Sequence, residues 1–138
     1  MKSKINSLNA PEPVGSYPHA RRVGNLLFLS GVGPRKPGTN VIPGVMVDGQ
    51  GNALGHDIEI QCHSVFENIK TILEESGSDW DHLVDVTVFL TNMKRDFEIY
   101  NEIYAQYFKD NQPCRTTVEV SSLPTPIAIE LKCIAIID

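Results

Sequence analysis

Hydrophobic and polar positions follow two rhythms along this chain. From Asp57 to Ser76, the residues Ile58, Cys62, Val65, Phe66, Ile69, Ile72 and Leu73 recur at spacings of three and four, the period of an amphipathic helix. Asp57 is placed to cap its start and Gly77 to stop it. A second helix is expected from Asp96 to Phe108, with Phe97, Tyr100, Tyr104, Tyr107 and Phe108 toward one side. Elsewhere the period is two. "LVDVTVFLT" (83–91) and "PIAIELKCIAIID" (126–138) alternate as strands do. In the latter, Ile127, Ile129, Leu131, Cys133, Ala135 and Ile137 take one face, and Ala128, Glu130, Lys132, Ile134 and Ile136 the other.

Two further stretches read as strands. "NLLFLSG" (25–31) is a short apolar run closed by Ser-Gly, and "CRTTVEV" (114–120) sets Thr116, Val118 and Val120 against Arg115, Thr117 and Glu119. Between Val32 and Gly55 the many prolines and glycines predict a loop region with one short strand at "GVMVD". The order strand, loop, helix, strand, helix, strand, strand fits an α+β layer, one sheet with two helices on one side. Its second sheet face is expected to gather Arg115, Thr117, Glu119, Glu130 and Lys132 with Ile134 and Ile136. Such a mixture suits a subunit interface with sites along it.

Composition narrows the class. At 138 residues and 41% apolar the chain is expected to be one globular domain, 1–138. A net charge of −5 without a basic run argues against a phosphate-gripping nucleic-acid surface. Cys62, Cys114 and Cys133 are an odd number without CxxC or Cys-His spacing, so neither a disulfide framework nor a zinc site is expected. The amino end lacks an apolar segment of signal-peptide length, and no stretch is long enough to span a bilayer. A cytoplasmic protein without nucleic-acid or membrane partners is the expectation.

The side chains suited to chemistry are few. Arg115, at a strand start behind Pro113, could clamp an anionic substrate, or it could form a surface salt bridge with Glu119. Glu130 lies mid-strand between Ile129 and Leu131, where an ionised carboxylate is costly unless paired. It could position water or shuttle protons, or be an interface ion pair with Lys132 or Arg115. Tyr17 could cap an apolar pocket. His56, His63 and His82 lack ligand spacing, and His19 stands out only because "GSYPHARR" precedes a buried strand. No dinucleotide, P-loop, GxSxG or metal motif occurs, so no cofactor and no metal are expected.

Read together, "NAPEPVGSYPHARRVGNLLFLSG", "ENIKTILEESG", "DVTVFLTNMKRDFEIYNEIYAQYF", "PCRTTVEVSSLP" and "IAIELKCIAI" resemble the Rid family, the YjgF-like reactive intermediate deaminases. They appear in the family's order over nearly the whole chain. The resemblance implies a chorismate-mutase-like α+β fold assembled as a homotrimer with clefts between subunits. It also implies metal-free, cofactor-free hydrolysis of enamines and imines to ketones and ammonia. Arg115 then matches the arginine that grips the substrate carboxylate, and Glu130 the glutamate that helps place the attacking water. Tyr17 matches the cleft tyrosine, and Ser30 and Gly31 the turn whose backbone lines the pocket.

One position departs from the pattern. Archetypal imine deaminases of the family carry cysteine two residues after the arginine, where this chain has Thr117. The backbone carbonyl is retained and the thiol is lost. Cys114 lies on the opposite strand parity and does not replace it. The two threonines after the arginine, "YPHARR" and the loop "RKPGTNVIPGVMVD" look closer to the 2-aminomuconate deaminase branch. That substrate bears two carboxylates, so a second cation would help, and Arg21, Arg22 and Arg35 are candidates. Two rival readings stand beside the deaminase: a non-catalytic regulatory trimer binding small carboxylates, and a ribonuclease.

Overall fold

The computed structural model describes residues 3–138. The first long helix, α1, runs over Ile58–Glu75. Asp57 caps it, its side chain accepting from the Ile60 amide, and Gly77 ends it at φ 90°. The Gly77 amide donates to Glu74 and the Ser78 amide to Leu73, the bond pair of a Schellman stop. Both punctuation residues act as the sequence suggests. The second helix, α2, covers Met93–Tyr107 rather than starting at Asp96, because the Asn92 side chain already accepts from the Arg95 amide. Asn92 is thus the cap that ends the preceding strand and starts the helix.

Strands β1 (Lys4–Ile5), β2 (Ala20–Val23), β3 (Leu26–Leu29), β6 (Leu83–Leu90), β7 (Cys114–Glu119) and β8 (Ile129–Ile136) form one sheet in the order β1-β2-β3-β8-β6-β7. Its neighbours are antiparallel except β6 and β7, which pair in parallel. Parallel neighbours need a crossover, and α2 supplies it. Strands β4 (Val45–Val47) and β5 (Ala53–His56) make a separate hairpin. The sequence predicts β4 but not β5, nor the short β1 and the largely polar β2.

Both helices cover one face of the sheet. Ile58, Cys62, Val65, Phe66, Ile69, Ile72 and Leu73 of α1 are buried with Leu27, Leu29, Val86, Val88, Leu131, Cys133 and Ala135 of the sheet. Each such valine, leucine, isoleucine or phenylalanine side chain contributes about 1.5–3 kcal/mol on burial. Phe66 also meets the rings of Trp80, Tyr104, Tyr107 and Phe108, and truncating it to alanine would cost about 3–5 kcal/mol. Among the described residues no helix is long and apolar enough to cross a membrane.

Register decides which side chains share a face, and here one expectation fails. Val86, Val88 and Leu90 of β6 sit beside Cys133, Leu131 and Ile129 of β8, on the helix side. The parallel pairing sets Arg115, Thr117 and Glu119 beside the same three β6 residues. They therefore lie under α2 rather than with Glu130, Lys132, Ile134 and Ile136, which share the other face with Phe89 and Thr87. Alternation within β7 fixes parity but not which parity faces the helices. Its apolar-leaning set, Thr116 and Val118, faces away from the helices and is exposed, as Arg115 and Glu119 also are at the sheet edge. The face opposite the helices carries half-exposed Leu26, Phe28, Ile134 and Ile136 around the charged pair of β8.

Candidate active site

The cleft begins as an irregularity in strand pairing. Phe28 pairs with Ile134, and beyond β3 the backbone of Val32 exchanges both hydrogen bonds with Leu131, at 2.8 and 2.9 Å. Between these pairs Leu29, Ser30 and Gly31 face only Cys133 and Lys132, so the strand carries one extra residue, a β-bulge. Lys132 Nζ donates to the Leu29 carbonyl. Ser30 turns away from β8: its amide continues the β2–β3 pairing by donating to the His19 carbonyl at 3.0 Å, and its hydroxyl donates to the Pro18 carbonyl at 2.7 Å. Gly31 is left bare beneath Glu130. A Cβ there would lie 2.5 Å from Glu130 Oε1 and 3.0 Å from its Cδ, closer than any side chain can stand.

Glu130 is half-buried at the floor of a cleft whose walls include Tyr17, Ser30, Gly31, Arg35 and Ile127. No hydrogen bond reaches its carboxylate from the described residues, and it pairs with neither Lys132 nor Arg115. Burial raises its pKa, which favours the protonated acid and suits a group that both takes and returns protons. Tyr17 stands at the rim with 42% of its surface exposed, its hydroxyl accepting from the Val14 amide at 3.2 Å. Among the described residues no group of three or more His, Cys, Asp or Glu side chains is placed to hold a metal.

His19 shapes the wall in a way the sequence hides. Its Nδ1 accepts from the Ser7 amide at 2.9 Å, and its Nε2 meets the Pro11 carbonyl at 2.6 Å. A backbone amide only donates and a carbonyl only accepts, so the ring is the neutral Nε2–H tautomer. Glu75 holds the same segment, accepting from the Ser7 hydroxyl at 2.5 Å and the Asn9 amide at 3.1 Å. These bonds lower the Glu75 pKa, the Ser7 hydroxyl contributing most.

Arg115 and Thr117 stand elsewhere. The Arg115 guanidinium lies 4.7 Å from the centre of the Tyr104 ring and 5.4 Å from that of Tyr100, and donates to Asn101 Oδ1 at 2.8 Å. Glu119 does not pair with it but accepts from the Met93 amide at the start of α2 at 2.8 Å, a favourable place for negative charge. The Thr117 hydroxyl bonds Tyr100 Oη at 2.9 Å. Of the sequence candidates, Tyr17, Ser30, Gly31 and Glu130 thus meet in one cleft, while Arg115 and Thr117 lie on the other face with β6 between. Of the three candidate second cations, Arg35 lines the cleft, its guanidinium donating to the Glu12 carbonyl. Arg21 and Arg22 are exposed on β2.

Two helices on a mixed sheet, with a glutamate cleft at a bulge, define a chorismate-mutase-like α+β protein of the Rid type. A family model described as Endoribonuclease L-PSP matches residues 7–137, and the chain belongs to that family, which takes in the RutC and Rid proteins. It is 43% identical over 135 residues to a RutC family protein of Pyrococcus horikoshii, covering 98% of each chain. It is 36% identical to Reactive Intermediate Deaminase A, chloroplastic, of Arabidopsis thaliana, over 97% of this chain and 65% of that one. The crystal structure of E. coli TdcF with bound serine matches at a TM-score of 0.84 and 30% identity, over 99% of this chain and 100% of the other.

Proposed function

We propose that the protein hydrolyses small carboxylate-bearing enamines or imines, of the 2-aminoacrylate, 2-iminobutanoate or 2-aminomuconate type, to the keto acid and ammonia. The observation that carries this reading is the Glu130 carboxylate, half-buried over Gly31 without a bonded partner and raised in pKa by burial. The relative named Reactive Intermediate Deaminase A supports the same reaction class.

The chemistry balances without redox change. An enamine takes a proton at its β-carbon and becomes the iminium ion, the protonated imine. Water adds to the C=N carbon, Glu130 accepts its proton, and the nitrogen is protonated in the resulting carbinolamine. The C–N bond breaks with its electrons on nitrogen, ammonia leaves, and the remaining hydroxyl loses its proton as C=O forms. No step calls on a metal or cofactor. The backbone at Gly31 and, from a neighbouring copy, the Thr117 carbonyl complete the cage for the water, and Tyr17 closes the rim.

The substrate carboxylate needs a cation, and Arg115 of the same protomer cannot supply it across the sheet. A second copy can, and its docking would also cover the apolar face around Phe28, Ile134 and Ile136. The assembly proposed is the homotrimer that the family resemblance implies, with clefts between subunits and Arg115 of one copy facing Glu130 of the next. A substrate with a second carboxylate would find Arg35 in the same cleft.

The test is ammonia release and loss of enamine absorbance with freshly generated 2-aminoacrylate, 2-iminobutanoate and 2-aminomuconate, using Arg115→Ala as control. Acceleration that vanishes in the control supports the deaminase, and the preferred substrate gives its branch. No acceleration on any of the three overturns it and leaves a carboxylate-binding regulator. An unpartnered Glu130 beside an anionic ligand disfavours simple binding, and the net charge of −5 disfavours the ribonuclease reading.

A further inference from the structure

We infer that Tyr100, Asn101 and Tyr104 of α2 are positioning residues that fix the Arg115 guanidinium in one pose, ready to receive a substrate carboxylate. The inference rests on the proposed role of Arg115 and assigns the residues that set its aim. Arginine is long and rotamer-rich, and an exposed one ordinarily loses much of its freedom when it grips a ligand. Arg115 is exposed at the sheet edge, yet its guanidinium is held by three groups from a single turn of α2.

Tyr104 is the closest ring, at 4.7 Å, and it is itself packed between other rings. It stacks on Phe108 with centroids 4.2 Å apart and meets Phe66 edge-on at 6.1 Å. Tyr100, fully buried, leans edge-on to Tyr104 at 5.8 Å and lies 5.4 Å from the guanidinium. The Asn101 carbonyl oxygen takes one of the five guanidinium N–H groups at 2.8 Å. The remaining N–H groups lie in the same plane, available for a two-point bond to a carboxylate.

Thr117 completes the device. Its hydroxyl ties Tyr100 Oη at 2.9 Å, locking that ring to the residue two places along β7 from Arg115. Threonine in place of the expected cysteine thus gives Tyr100 a hydrogen-bond partner. The Thr117 side chain acts through the ring and not on the substrate. Tyr104 contributes its ring alone, because its hydroxyl is buried with no partner among the described residues.

A purely structural reading would have the cluster staple β7 to α2 and nothing more. Tyr104→Leu, Tyr104→Phe and Asn101→Ala separate the two on the assembled protein. Steady-state kinetics are measured on 2-iminobutanoate and on its methyl ester, with a thermal melt for each variant. The expected result for Tyr104→Leu is a KM at least tenfold higher on the carboxylate imine, with kcat/KM on the ester within twofold of the parent. Tyr104→Phe, which keeps the ring, should match the parent. Asn101→Ala, at an exposed site, should raise the same KM severalfold with an unchanged melt, and it carries the test if Tyr104→Leu does not fold.

Unchanged KM values, or equal losses on both substrates in step with the melt, overturn the inference while leaving the deaminase intact. If the parent accelerates neither imine, the function has failed. The cradle is then read by calorimetry with 2-oxobutanoate, where weaker binding to Asn101→Ala than to the parent upholds it and equal affinity sinks it.

Discussion

The Glu130 carboxylate rests on Gly31 so closely that a Cβ would come within 2.5 Å of Oε1. The extra residue of the bulge turns Ser30 aside and leaves a backbone surface flat enough for the acid to lie against. Gly31→Ala should therefore push the carboxyl off its place while leaving the fold standing. A displacement of about 1 Å at a reacting group can cost on the order of 10²-fold in rate. The expected result is a kcat lowered by about that factor with a near-parental far-ultraviolet circular dichroism spectrum.

Glu130→Gln removes the proton carrier and keeps the shape. General acid–base groups contribute about 10²–10⁴-fold, so kcat should fall within that range while affinity for a keto-acid product is kept or improved. The substitution also has a stability signature. Burial raises the folded pKa of Glu130 above its unfolded value, so the protonated acid is favoured by folding. The stability this confers is full below the unfolded pKa, about 4.3, and is lost as pH rises through the folded one. The glutamine variant should melt higher than the parent at neutral pH and lose the advantage in acid, as thermal melts across pH 4–8 would record.

Separating Arg115 from Glu130 by a whole sheet predicts complementation. Arg115→Ala and Glu130→Gln proteins should each be nearly inactive alone. Unfolded together in equal amounts and refolded, they should regain about a quarter of parental activity, the share of randomly formed interfaces with both intact groups. Refolding the two separately before mixing provides the control. Activity absent from the co-refolded sample would place both groups in one protomer's site after all.

His19 offers a different handle. Its two ring nitrogens hold the Ser7 amide and the Pro11 carbonyl, and its ring lines the cleft. His19→Ala leaves both backbone groups without that partner, at a cost of about 1–3 kcal/mol each where water cannot replace it. Chemical denaturation should report a stability loss of that order. Hydrogen exchange should show faster opening at Ser7, and KM should rise because Pro11 to Val14 form the wall beside Tyr17.

What the sequence conveyed and what it withheld divide along physical lines. Asp57 and Gly77 bracket α1 because capping and left-handed stops are local chemistry, readable from a few neighbours. Ile129 to Ile136 alternate cleanly because one side of β8 is buried along its length. Asn92 went unnoticed because a single residue serves both as strand end and helix cap. Lys4–Ile5 and Ala20–Val23 are too short and polar to show a period. The misplacement of Arg115 has a deeper cause. Alternation gives two faces but no sign, and the sign came from pairing with β6, a relation between segments far apart in the chain. The cleft membership of Tyr17, Ser30, Gly31 and Glu130 followed family resemblance, whereas His19, Tyr100 and Asn101 announce themselves only through their contacts.

Opposite placement of Arg115 and Glu130 also bears on when the chain becomes useful. If both serve one substrate, a newly synthesised protomer carries its two half-sites back to back and is silent. Specific activity would then fall on dilution below the dissociation constant of the assembly. Turnover itself would become a gauge of association, readable at concentrations too low for any scattering measurement.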